Sequence, residues 1–497
     1  MTDLNKNFTA SAVTITKLLA HAVLDLFPKA QFIEEFAEGH QFCYQFFSHV
    51  PFESSQLELL ENRMIQIKNE GFRPYLMEMM PSNAMGLFKE KGQKKLGETL
   101  IQSSETLVRV VRMGEYYDLV KSDFESNIDK THFKLTHFEE VESKDGFLVT
   151  LFGLGAFDAN QLKKEVKIYK ELQKKGHVEI GQDQKLFKVM KDNWLFLPKG
   201  VALLNSIKNE IDKAYKAEGF KEISALKNDF GIKDLIEKSS LVRDKTKYFL
   251  WSKDIQISKN LLDVGLFKIE AGLQDEWFSV VNKKELLNEC ISYLKFYLQI
   301  IKILGFSYQV KCFSSKSSEL QEMTEEMLSD LELNCELVKS DRFKIQIDLK
   351  DRFGRCYSSP YWTIEKKDEL FLFRGSFCSS YEKLLAQLLE EHQGKLPISW
   401  NPEQLKILSL VEGKEFAKTV YDYFQKNNVA VTIDNSAEKL SVRLKKAYIE
   451  KVPRITIIGK KEQDEEVLTV KLEHLGKELT CSKEMLLEQI LEELTER

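Results

Sequence analysis

The chain runs to 497 residues, 43% of them hydrophobic and 30% charged, with only 9 prolines. That balance excludes a disordered or fibrous polymer, and the length exceeds what one core can organise, so three or four globular domains are expected. A formal charge of -5 excludes a generally basic nucleic-acid binder while leaving room for a local basic face.

In chain order, residues 12–27 repeat apolar side chains at helical spacing and stop at Pro28, and amphipathic helices follow over 53–70 and 81–91. TLVRVVRM (106–113) and HFKLTHFEEV (132–141) read as strands, which makes residues 1–141 an α+β domain. Residues 142–190 read as a linker of strand and helix. DANQLKKEVKIYKELQKK (158–175) opens on a capping Asp and is densely charged, as in a helix that bridges domains with a solvated face.

Residues 191–398 mix long helices, over 202–217 and 283–304, with strands over 343–349 and 369–373. Each helix runs into a Gly-Phe pair, the usual cap before a strand. From 399 to 497 the pattern is β-α-β-α-β-β-α, which predicts a small α/β domain with a mainly parallel sheet. The seven cysteines are scattered without a CxxC pair, and no apolar run reaches the roughly 20 residues that span a bilayer. Reduced thiols and a cytoplasmic protein with no membrane segment are therefore expected.

Three stretches carry a resemblance across nearly the whole chain: LPKGVALLNSIKNEIDKAYKAEGFKEI (197–223), EEHQGKLPISWNPEQ (390–404) and IDNSAEKLSVRLKKAYIEKVPRITIIGKKE (433–462). Together with LLAHAVLDLFP (18–28) and GEYYDLVKSDF (114–124), they resemble threonyl-tRNA synthetase, a class II aminoacyl-tRNA synthetase. The resemblance implies an α+β multidomain chain. Its parts are an editing-like α+β domain, a shortened class II domain on an antiparallel sheet, and a C-terminal anticodon-binding-like α/β domain. The family's ubiquitin-like N-terminal domain has no counterpart in this sequence.

The resemblance also says what is missing. The family edits with a His-x-x-x-His pair whose positions hold Val13 and Lys17, completed by a Cys and a His whose positions hold Val120 and Phe124. A lone Lys cannot replace paired imidazoles at neutral pH, and nearby His21 reads as a helix-surface residue. In the synthetic site, QDEWF (274–278) resembles a zinc-site strand with its His replaced by Phe278. A second ligand position falls at Arg374, and the ligating Cys has no counterpart. The adenine-covering Arg corresponds to Lys383, after Glu382, and Leu226 stands for the first motif's Pro. No metal and no cofactor are therefore expected.

Trp277, Phe278, Tyr361 and Trp362 are expected to fill the old cavity as core, and His177 to be structural. In the last domain 16 Lys and Arg face 18 Asp and Glu over residues 401–497, so no basic face stands out. Lys445, Glu462 and Lys471 remain the candidate RNA-binding positions, with Ala437 where the family has Asn. The expectation is a threonyl-tRNA synthetase-like protein without either catalysis, binding tRNA, a genuine synthetase or another protein. The alternative is a divergent threonine–tRNA ligase or a re-purposed enzyme around Gln274, Asp275 and Glu365. A homodimer is expected through residues 201–217, whose Ala202, Leu203, Ile207, Ile211 and Ala214 form an apolar face.

Overall fold

The computed structural model describes the chain apart from residues 1, 102–104, 121–126, 144–145, 191–192, 225–245, 258–262, 315–334, 341, 352–355, 357–359, 368, 473–475 and 496–497. It divides into two compact units, 1–173 with 259–264, and 174–258 with 265–497.

In the first unit the helix Thr2–Leu26 lies on a four-stranded antiparallel sheet ordered Gln31–Glu38, Gln41–Ser48, Gly146–Ala156, His132–Ser143. Ala12, Ile15, Leu18, Leu19, Ala22 and Val23 return every third or fourth residue, so one stripe of the helix buries against the sheet. A smaller sheet of Tyr75–Met79, Val108–Met113 and Tyr116–Leu119 packs with the helices Pro81–Glu90 and Lys94–Glu98. The unit extends past the boundary placed at residue 141. His132–Ser143 and Gly146–Ala156 form one hairpin, and the second strand is central in the sheet, so it cannot belong to a linker. The charged helix Ala159–Lys175 starts where Asp158 Oδ2 accepts the Gln161 N–H at 3.0 Å, and the division between the units falls near its end.

The second unit is built on an eight-stranded sheet ordered Lys221–Ile223, Thr246–Ile257, Ile269–Asn282, Leu370–Ser376, Tyr361–Lys367, Lys344–Lys350, Ser307–Ser314, Cys335–Lys339. All pairings are antiparallel except the two outermost. Helices Pro198–Ala217, Leu286–Leu304 and Tyr381–Glu391 cover one face with a large aromatic core. Leu203, Ile207, Ile211 and Tyr215 are buried in that core. Of the apolar helix face expected to pair two chains, Leu203, Ile207 and Ile211 are thus taken up by the chain's own core, while Ala202 is exposed and Ala214 half-buried.

Within the same unit a second sheet is ordered Val431–Asp434, Leu405–Ser409, Arg454–Ile458, Leu468–Leu472, Lys477–Cys481. Its first three strands are parallel and the last two antiparallel. Helices Lys414–Lys426 and Lys483–Thr495 cover one face and Leu440–Ile449 the other. The short helix Lys460–Glu465 and the polar edge strand Lys477–Cys481 add to the series expected from the sequence. Among the described residues no helix is long and apolar enough to cross a membrane.

Candidate functional site

Lys17 is not alone. Its side chain is fully buried, and its ammonium lies 2.9 Å from Asp118 Oδ2 and 2.7 Å from Glu35 Oε1, while also donating to the Leu119 carbonyl. Tyr44 and Tyr116 donate to the same Asp118 oxygen at 2.8 and 2.6 Å, and Thr16 donates to Glu35. Burial alone would lower the Lys17 ammonium, but the two carboxylates outweigh it and hold the group above its ordinary value. Burial, reinforced by Asp118, pushes both tyrosines well above theirs. Val13 and Val120 pack together with Val111 in an apolar cluster. Phe124 lies outside the described residues.

His21 is not a surface residue either. It is buried, with its ring stacked on Tyr116 at 5.4 Å, and burial lowers its pKa. What occupies this region is a closed ion-pair network, and among the described residues the imidazole beside it, His21, is buried. The sequence hid that network because Asp118 and Glu35 are distant along the chain and fall on no shared periodicity with Lys17.

In the class II-like sheet, strand alternation decides the geometry. Trp277 points into the helix-covered core with Trp362, whereas Phe278 points to the other face with Tyr361, so the four aromatics cannot fill one cavity. Trp277 needs Gly375 opposite it, since a Cβ there would stand 2.6 Å from the indole ring. The Trp277 Nε1–H donates to Tyr297 Oη at 2.7 Å. Phe278 is fully buried with Leu250, Val280 and Leu372.

Arg374 is the direct cross-strand neighbour of Phe278, and its guanidinium reaches Glu365 at 3.5 Å. A permanently charged guanidinium and a phenyl ring offer no lone pair, so these two positions do not fit zinc. Among the described residues no group of three or more His, Cys, Asp or Glu side chains could hold a metal ion.

Asp275 looks reactive on paper, because burial pushes its carboxyl above the ordinary value. Yet its two oxygens accept four hydrogen bonds: Tyr215 Oη at 2.6 Å, Tyr381 Oη at 2.9 Å, and the Phe377 and Cys378 N–H groups at 2.7 and 2.8 Å. This is a structural hub joining strand, loop and two helices. Glu382 is similarly committed, accepting the Leu273 N–H at 2.9 Å where Gly272 leaves room for it. Lys383 follows in the first turn of Tyr381–Glu391, its backbone N–H 3.3 Å from the capping Ser380 Oγ. His177 is buried, accepting the Leu266 N–H at Nε2 and donating from Nδ1 to Glu390 at 2.8 Å.

In the C-terminal sheet domain Glu462 caps its own short helix, accepting the Gly459 N–H at 3.0 Å and the Thr469 hydroxyl at 3.3 Å. Lys471 projects from the same strand face as Thr469 and reaches Glu478 at 3.8 Å. Lys445 is exposed on Leu440–Ile449, the helix covering that side. A cluster missed in the sequence ties this domain to the class II-like sheet domain. Glu450 receives Lys185 at 2.5 Å, Lys199 at 2.7 Å and Lys406 at 2.9 Å, and Lys199 also meets Glu403. Burial would raise the Glu450 carboxyl, but the three lysines pull it down to about 2.

Residues 397–496 match the family described as the anticodon binding domain. Threonine–tRNA ligase of Burkholderia multivorans is 22% identical over 91% of this chain and 84% of that ligase. The ligase of Ehrlichia canis is 23% identical over the same shares. Among solved structures, the RNA binding domain of threonyl-tRNA synthetase from Cryptosporidium parvum superposes with a TM-score of 0.56 at 16% identity, covering 64% of this chain and 98% of that one. A putative threonyl-tRNA synthetase from Aeropyrum pernix gives 0.52 at 12% identity, covering 64% and 96%. The two structures share the fold, and the sequence matches extend across both units. On these matches the chain is similar to threonine–tRNA ligases over most of its length, and residues 397–496 belong to the anticodon binding domain family.

Proposed function

We propose that this chain is a non-catalytic member of the threonyl-tRNA synthetase family, retaining the scaffold as a tRNA-binding or protein-binding accessory factor. The observation that carries the reading is the inward commitment of the substituted positions. Lys17 is locked between two carboxylates and Phe278 sits in a dry cluster, so neither leaves a group to activate water or hold a substrate. Arg374 and Lys383 fit the same reading, as cations where the family has a metal ligand and an adenine-stacking Arg. Binding of tRNA is supported by the anticodon-domain match and by the exposed Lys445. A genuine synthetase is the alternative partner.

The test is threonine-dependent exchange of pyrophosphate into ATP, run beside hydrolysis of seryl-tRNA. Both should stay at background. Losing one donor that stabilises transition-state charge typically costs on the order of 10² to 10³ in rate. Exchange above background that disappears in Lys383→Ala would instead make the protein a divergent ligase. Filter binding of tRNA over a salt series completes the experiment. Affinity that falls with salt and weakens in Lys445→Ala supports the RNA-binding form of the reading.

A further inference from the structure

The charged helix Ala159–Lys175 carries six lysines against two glutamates, on a chain whose formal charge is -5. One side of it is tied down. Gln161, Glu165 and Tyr169 step by four residues and meet two histidines of the first unit. Gln161 Nε2 lies 3.4 Å and Glu165 Oε1 3.9 Å from His40 Nε2, and Tyr169 Oη lies 3.0 Å from His137 Nδ1. Leu162, Val166, Ile168 and Leu172 flank that side and are half-buried. At 3.6 residues per turn, Lys163, Lys167 and Lys170 fall together on the opposite side. All three are exposed, and among the described residues none has an ion-pair partner. They form a straight row of unneutralised cations about 10 Å long.

We propose that this face binds the phosphate backbone of double-stranded RNA. The inference deepens the tRNA-binding form of the reading above and rests on it. The charge pattern selects a polyanion, because a single phosphate needs cations that converge, whereas these run in line. A nucleic-acid duplex presents about one charge for each 1.7 Å of its axis, so a row this long meets several phosphates. The side chains are all lysines, point charges that neutralise phosphate without reading a base. A single strand is the poorer fit, since a sequence-tolerant grip on single strands uses exposed aromatics for stacking. The one aromatic on this helix, Tyr169, is turned inwards onto His137. A membrane surface fits poorly too, because an interfacial helix needs its apolar residues free to enter the lipid. Here those residues lie towards the packed side. Recognition should follow the backbone and ignore sequence.

An RNA duplex of about 20 base pairs, with no anticodon loop, separates this face from the last domain. The full chain should bind it with an affinity that falls with salt. The triple variant Lys163→Gln, Lys167→Gln, Lys170→Gln should bind roughly tenfold or more weakly, and the slope of log affinity on log salt should drop by about two to three. Glutamine keeps the helix, so the melting temperature should not change. Replacing three exposed lysines elsewhere in the same unit, Lys29, Lys89 and Lys94, by Gln removes equal charge and should change binding less than about twofold. Equal loss in both triple variants means binding by net charge and overturns the inference. So does a duplex that fails to bind, or a salt slope that the first variant leaves unchanged. A single strand, polyglutamate or phosphatidylserine vesicles held as tightly as the duplex overturn it as well. Binding of tRNA by Lys445→Ala reports on the last domain alone, so a failed duplex experiment leaves that arm of the earlier reading standing.

Discussion

Lys17 keeps its ammonium in the interior only because two carboxylates and a carbonyl surround it. Lys17→Met would strand Asp118 and Glu35 with no counter-charge. Breaking one partner of a buried ion pair costs about 3 to 5 kcal/mol, so urea denaturation should show a loss of that size in the first unit. Replacing Lys17, Glu35 and Asp118 together by apolar residues of similar volume should cost less, because no buried charge remains. Asp275 makes a contrasting case. Asp275→Ala removes an acceptor shared by four donors and leaves two tyrosine hydroxyls and two N–H groups unmet. The second unit should lose several kcal/mol in the same assay, at about 1 kcal/mol or more per stranded group.

At the scale of elements, the junction around Glu450 sets a pH dependence. Its carboxyl lies at about 2 in the folded chain against an ordinary 4.5, so the folded state favours the charged form. The resulting stabilisation is fully present above 4.5 and is lost as the pH falls towards about 2. Acid unfolding followed by tryptophan fluorescence should show this loss in the natural chain. Glu450→Gln should lower stability at neutral pH and flatten the curve below 4.5. Helices and strands were largely legible in the sequence, because the periods of 3.6 and 2 are local. The helix Pro198–Ala217, the Gly305 cap with its φ of +79°, and the three parallel strands of the last domain all follow from such patterns. Which face a residue occupies was harder to read. Trp277 and Phe278 are neighbours in sequence, and only the strand's alternation against a helix-covered side separates them. The Glu450 cluster was invisible for another reason: Lys185 and Lys199 lie in the class II-like sheet domain, far along the chain from Lys406 and Glu450.

For the molecule as a whole, the positions on which the accessory-factor proposal rests fall in both compact units, Lys17 in the first and Phe278, Arg374 and Lys383 in the second. Elemental analysis of protein prepared without a metal-affinity step should accordingly find no stoichiometric zinc. The burial of Phe278 also bears on ancestry. Suppose a single mutation placed an imidazole at position 278. The new ring would enter a cluster of Leu250, Val280 and Leu372, beside a guanidinium already drawn towards Glu365. Without a metal to meet it, the buried ring would go unsatisfied at about 2 kcal/mol. Phe278→His should therefore melt earlier than the natural chain and gain no zinc. On the accessory-factor reading proposed above, a step towards a ligand at this position is penalised before any benefit exists. On that reading the aromatic works as a ratchet that favours new partners over the return of a ligand site.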